Sequence, residues 1–111
     1  MLEILLVYAP CPELAVARSL GKTLIEERLA ACINILGPTL TLYKEECLVE
    51  TQEYILIAKA ALMREEALKQ RLLGLHPYNT PAIFSWKVKT HEHFFNWVMQ
   101  TLTQGEDIPH C

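Results

Sequence analysis

The sequence contains none of the short motifs that usually indicate a structural metal or an enzyme. It has no CxxC pair, which removes the common zinc-ribbon, thioredoxin-like and metallochaperone signatures. It also has no glycine-rich phosphate loop, and no catalytic triad or pair of carboxylates stands out. We therefore expect a binding module without a catalytic residue rather than an enzyme.

Basic residues are too few to indicate a nucleic-acid-binding surface. Ten Lys and Arg stand against thirteen Asp and Glu, a net charge of -3, whereas binding along phosphates needs a basic face. No apolar window approaches the roughly 18 residues of a membrane span, and the start Met1-Leu2-Glu3-Ile4 is unlike a signal peptide. With 51% hydrophobic residues, we expect one soluble, cytoplasmic domain over residues 1–111, without nucleic-acid or membrane partners.

The cysteines are scattered along the chain, at Cys11, Cys32, Cys47 and Cys111. A chain this apolar does not need disulfides in a reducing compartment, so free thiols are expected. Cys11 lies between two prolines at a predicted strand-to-helix turn. Because a helix N-terminus lowers the pKa of a thiol, Cys11 is the candidate for a reactive or metal-binding cysteine.

Hydrophobic periodicity predicts a βαββαβ order followed by a third helix. The predicted strands are Leu2–Ala9, Ala31–Tyr43, Leu48–Ala60 and Ala82–Val88, and the predicted helices are Pro12–Leu29, Arg64–Gly74 and Glu92–Leu102. This order suggests an α+β, ferredoxin-like antiparallel sheet with the first two helices on one face. Pro38 marks a bulge or edge position, since it cannot donate to a ladder, and the tail 104–111 is expected to fray.

The central strands are apolar on both faces. In the first strand Ile4 and Leu6 are as apolar as Leu5 and Val7, although helices on one face alone would leave alternate positions polar. A monomer would then expose a larger apolar patch than soluble monomers usually carry. We expect another copy of the chain to cover the second face.

Four stretches of the chain form a specific pattern. They are Ala30-Ala31-Cys32-Ile33-Asn34, Tyr43, Glu53 with Ile57-Ala58-Lys59, and His76-Pro77-Tyr78-Asn79-Thr80-Pro81. From Leu5 to about Leu102 the sequence resembles the CutA family of divalent-cation tolerance proteins. The resemblance implies a homotrimer similar to PII-type signalling trimers. It also implies a link to the response to copper and other divalent metal ions, and no established enzymatic reaction.

The resemblance also implies a set of ligand-binding residues, namely Tyr43, Glu53, Lys59, His76 and Tyr78. The imidazole of His76 suits copper or zinc, or it caps the preceding helix by bonding its last carbonyls. Tyr78 lines a subunit cleft, or it packs with its hydroxyl in water. Glu53 and Lys59 lie six residues apart on one strand, about 20 Å from end to end, so each is expected to act across a subunit boundary, or Lys59 is solvated.

Several positions depart from the family pattern. The copper site associated with the family uses a cysteine and two adjacent histidines, where this chain has Val7, Leu75 and His76. The usual Trp and Gly of the hairpin are replaced by Glu45 and Cys47. We expect no required cofactor, weak copper(II) or zinc binding through His76, and tight binding only of copper(I) through a cysteine such as Cys11. The alternative function is a small-molecule enzyme with its site at the subunit interface.

Overall fold

The structure is a computed structural model that describes residues 2–103, so the tail 104–111 lies outside the described residues. The predicted order of elements is confirmed. The strands are β1 (Leu2–Cys11), β2 (Cys32–Lys44), β3 (Leu48–Ala60) and β4 (Phe84–Thr90), and the helices are α1 (Leu14–Glu26), α2 (Glu65–Leu75) and α3 (Glu92–Thr103). A short 3₁₀ turn, Leu62–Arg64, precedes α2.

The strands form one antiparallel sheet in the order β2-β3-β1-β4, and the α+β, ferredoxin-like fold is confirmed. Strand alternation turns Leu5 and Val7 of β1 toward α1 and α2, because successive side chains point to opposite faces. The buried residues of α1 are those with helical spacing in the sequence, namely Ala17, Leu20, Gly21 and Leu24. This packing forms the larger core.

Helix α1 is shorter than the predicted range of Pro12–Leu29. Glu13 is still extended, and Arg28 has a positive φ of 59°. The amides of Leu29 and Ala30 both donate to the Leu24 carbonyl, at 2.9 and 3.1 Å. These bonds satisfy an end-of-helix carbonyl and turn the chain toward β2.

Strand β1 is longer than predicted and does not stop at Ala9. Pro10 pairs with Ile55, and Cys11 pairs with Tyr54 on β3. On its other side, among the described residues, β1 pairs with β4 only as far as the Tyr8–Phe84 pair. Proline is tolerated there because its missing N–H leaves no gap in a ladder.

Beyond the Cys11–Tyr54 pair, β2 and β3 continue as a two-stranded ribbon. We call this ribbon, Thr39–Lys44 with Leu48–Glu53, the hairpin arm. A register irregularity between Leu36 and Thr39 on the edge strand β2 confirms the prediction of a bulge or edge position at Pro38. The arm exposes large apolar side chains, with Leu40 66% and Leu48 64% exposed. Two-stranded ribbons that pack against nothing else are only marginally stable in water.

The second face of the sheet, opposite α1 and α2, is only partly covered. Helix α3 packs Val98 and Leu102 against Ile4 at one end of it. On β4, Phe84 and Trp86 remain 55% and 43% exposed. Within residues 2–103, no helix is long and apolar enough to cross a membrane.

Candidate functional site at the base of the hairpin arm

A buried carboxylate lies where the hairpin arm leaves the core. Glu53, one residue before the part of β3 that also pairs with β1, is 8% exposed. Its Oε2 accepts a hydrogen bond from the Tyr78 hydroxyl, and its Oε1 accepts one from the Thr41 hydroxyl, both at 2.8 Å. We call Glu53, Tyr78 and Thr41 the carboxylate cluster.

His76 holds the loop that delivers Tyr78 to this cluster. Helix α2 ends at Leu75, and His76 is extended. The His76 Nδ1 accepts the backbone N–H of Tyr78 at 3.1 Å. Since an N–H can only donate, the ring proton must be on Nε2, which lies 2.8 Å from the Pro10 carbonyl oxygen and donates to it. The ring therefore joins the end of β1 to the loop after α2, rather than bonding the last carbonyls of its own helix.

Cys11 does not have the environment predicted for a reactive thiol. It lies within β1 and is fully buried in the core beneath α1 and α2, not at a helix N-terminus. Burial, and secondly the charge of Glu53, raise the pKa of Cys11 to about 11. The predicted lowering of this pKa is therefore wrong, because loss of hydration disfavours the thiolate.

The residues present do not fit a copper or zinc centre within one copy of the chain. Both ring nitrogens of His76 are engaged in hydrogen bonds, and Cys11 has a protonated, buried thiol. In the part of the chain described, residues 2–103, no group of three or more His, Cys, Asp or Glu could hold a metal ion. Such centres usually need at least three protein ligands.

The hydroxyl of Tyr78 is held in its protonated state. Burial is the main cause, followed by the hydrogen bond to Glu53, and together they raise the pKa of Tyr78 to about 12. At neutral pH this hydroxyl therefore acts as a hydrogen-bond donor to the carboxylate. It is not a base, and it is not a nucleophile.

The other two predicted ligand residues differ in their relation to the cluster. Tyr43 lies on the same face of β2 as Thr41, two residues further along, and is 45% exposed. The Lys59 ammonium instead lies 5.8 Å from the centre of the Phe94 ring on α3, so within one copy it is separate from the cluster.

Thr41 was not predicted from the sequence. Its only signal was alternation, since residues 39, 41 and 43 share one face of β2. Thr39, on the same face of β2, also contacts Glu53, because its hydroxyl donates to the Glu53 backbone carbonyl at 2.9 Å.

The pattern of the whole chain matches a known family. The family model described as CutA1 divalent ion tolerance protein matches residues 5–101. The chain belongs to this family. The expected resemblance to CutA proteins is therefore confirmed over nearly all of the described residues.

Relatives of this CutA1-family chain cover almost its full length. The divalent-cation tolerance protein CutA of Thermus thermophilus is 35% identical over 102 residues, which are 90% of this chain and 97% of the relative. The crystal structure of CutA1 from Ehrlichia chaffeensis has a TM-score of 0.89 at 26% identity and covers 91% of this chain and 96% of that one. A structure from Archaeoglobus fulgidus, described as a periplasmic divalent cation tolerance protein CutA, has a TM-score of 0.83 at 25% identity, covering 91% of this chain and 99% of its own.

Proposed function

We propose that this CutA1-family protein is a homotrimeric, cytoplasmic module linked to divalent-cation tolerance, which binds a small ligand at the carboxylate cluster. The observation that carries the proposal is the buried Glu53 carboxylate, held by two hydroxyls at the base of the hairpin arm. Such convergent polar groups are typical of a ligand site. Catalysis is disfavoured, because the pKa values of Cys11 and Tyr78 are raised and neither is an activated nucleophile.

Assembly into a closed oligomer is supported by the apolar surface that one copy leaves exposed. Leu40 and Leu48 of the hairpin arm and Phe84 of the second face are each more than half exposed. Covering them with other copies would remove this surface from water. The number three rests on the resemblance to PII-like CutA trimers, and the cluster would then lie in a cleft between copies.

A cytoplasmic location is supported by the thiols of Cys11 and Cys47, which form no disulfide within residues 2–103. Disulfides are rare in reducing compartments and common in oxidising ones. Cell fractionation of the full chain tests this part of the proposal. Recovery in a periplasmic fraction, as the description of the Archaeoglobus fulgidus relative suggests for that protein, would contradict it.

A direct role in holding metal is the weaker candidate. Copper(II) or zinc at His76 would have to break the bond to the Pro10 carbonyl or the bond from the Tyr78 amide. Copper(I) at Cys11 would need a thiolate that burial disfavours. Weak, non-stoichiometric binding is expected for both metals.

Native mass spectrometry with and without copper and zinc tests the proposal, because it reports the number of copies and the metal content together. We expect three copies without retained metal. Leu42→Lys, at a 52% exposed position of the arm, should dissociate the assembly, whereas Glu45→Ala at the arm tip is the matched control and should not. A wild-type protein that remains monomeric at micromolar concentration would contradict the proposal.

A further inference from the structure

We propose that the carboxylate cluster binds an N–H cation, that is, an ammonium or guanidinium group. The inference rests on the proposed function and names the chemical class of its ligand. It is carried by two observations that are independent of each other, the uncompensated charge of Glu53 and the polarity of the groups around it.

The charge of Glu53 has no cation beside it in the described chain. Glu53 is 8% exposed as a whole residue, and the hydroxyls of Tyr78 and Thr41 that donate to its carboxylate are both neutral. The ion pairs Lys69–Glu65 and Arg71–Glu27, both within residues 2–103, do not involve Glu53. A carboxylate held largely out of water is strongly stabilised by an opposite charge in contact with it. The hydrogen bonds hold the two oxygens in place, but they leave the negative charge available to a cation.

The two hydroxyls around the carboxylate can only accept further hydrogen bonds. Tyr78 and Thr41 each use their single hydroxyl proton to donate to Glu53. Their remaining lone pairs, and those left on the carboxylate, are all acceptors. A ligand group that binds here must therefore supply N–H or O–H donors, and a phosphate or carboxylate would be repelled.

An organic cation fits these groups better than a metal ion does. A transition-metal centre usually needs at least three strong ligands, and residues 2–103 offer no group of three or more His, Cys, Asp or Glu that could hold a metal ion. An ammonium group needs only acceptors at hydrogen-bond distance, and it gains from nearby aromatic faces. Tyr43 lies about 7 Å along the strand from Thr41 on the same face, and Tyr78 provides a second ring.

The N–H cation could come from two sources. One is a free small amine or guanidine, and the other is a lysine or arginine side chain of a second copy of the chain. Both would present the same donors to the same oxygens. The experiment separates them, because only the first source leaves the site open to an added probe.

The experiment uses the full chain in its native assembly and follows the amide signals of Thr41 and Tyr78 by NMR. The probes are n-butylammonium chloride and tetramethylammonium chloride, which have the same charge but differ in N–H groups. The variants are Glu53→Gln, which removes the charge, and the matched control Glu50→Gln, which is exposed on the opposite face of the same strand. We expect butylammonium to bind, tetramethylammonium not to bind, and Glu53→Gln alone to lower the affinity by at least about tenfold.

If the cation belongs to a second copy, neither probe binds, but Glu53→Gln weakens the assembly. The protein concentration at which half of the Glu53→Gln assembly has dissociated is then at least about tenfold higher than for Glu50→Gln. Added salt reduces this difference, because ion pairs are screened. Equal behaviour of the two variants in both assays would overturn the inference, and so would equal binding of the two probes by the wild type. The probe comparison needs no variant, so it tests the free-cation source even if Glu53→Gln fails to fold. A monomer that binds butylammonium would contradict the proposed trimer only, whereas a trimer with neither effect would contradict this inference only.

Discussion

The Tyr78 hydroxyl lies 2.8 Å from Oε2 of Glu53 and donates a hydrogen bond to it. This bond fixes the loop after α2 to the base of the hairpin arm. His76 fixes the same loop at a second point, because its ring donates a hydrogen bond to the Pro10 carbonyl near the end of β1. The candidate site therefore lies next to the last β1–β3 pair, Cys11–Tyr54, beyond which β3 pairs with β2 alone.

Replacing Tyr78 by Phe should lower the free energy of unfolding of the assembly by about 1.5–3 kcal/mol, the range for hydrogen bonds to charged groups. The change leaves Glu53 with one hydroxyl donor instead of two. Urea denaturation at a fixed protein concentration measures it, since the stability of an oligomer depends on concentration. Tyr43→Phe, at an exposed position, is the control and should stay within about 0.5 kcal/mol. Equal losses in the two variants would contradict the assigned bond.

Stability should fall at alkaline pH in a way that depends on Tyr78. Its pKa is raised from the ordinary 10.0 to about 12 in the folded chain. The stabilisation is fully present below 10 and is lost as pH rises toward 12, because the unfolded chain loses this proton first. Tyrosinate absorbance of the folded protein should show one late-titrating tyrosine that is missing in Tyr78→Phe. An unchanged titration curve in that variant would disprove the raised pKa.

Cys11 should react with a thiol reagent far more slowly than Cys47. Its thiol is fully buried with a pKa raised to about 11, whereas Cys47 is exposed at the tip of the arm. Two variants that each retain one of these cysteines allow a direct comparison. At mildly alkaline pH the labelling rates should differ by at least about 100-fold, since only the thiolate reacts. Similar rates would show that Cys11 is accessible in the native protein.

Gly37 should tolerate a side chain poorly. Its φ is +146°, and an added Cβ would lie 2.8 Å from the Tyr54 ring and 3.0 Å from the Glu53 carbonyl oxygen. Gly37→Ala should therefore lower the free energy of unfolding by about 1–3 kcal/mol. Gly74→Ala is the matched control on α2, where an added Cβ meets nothing within 4 Å, and it should stabilise by about 0.5–1 kcal/mol. Thermal unfolding of both variants checks the difference in sign.

Part of the candidate site could be predicted from the sequence. Glu53, Tyr78 and His76 were identified through the family resemblance, and the structure brings them together. The function of the His76 ring could not be predicted, because its partner Pro10 is 66 residues away and the bond depends on the path of the loop. The pKa of Cys11 was predicted in the wrong direction, because its flanking prolines indicate a turn whereas the pairing with β3 keeps it in a buried strand.

The sequence by itself determined the order of elements, the buried stripe of α1 and the bulge or edge position at Pro38. These features depend on periodicity and on proline stereochemistry, which act within a few residues of the chain. The tertiary structure alone decided that Thr41 and Tyr78 donate to one carboxylate, and that Lys59 lies over Phe94 instead. Such contacts join residues far apart in sequence, and their geometry is set by where strands end and how loops cross them. A local pattern carries no information about either.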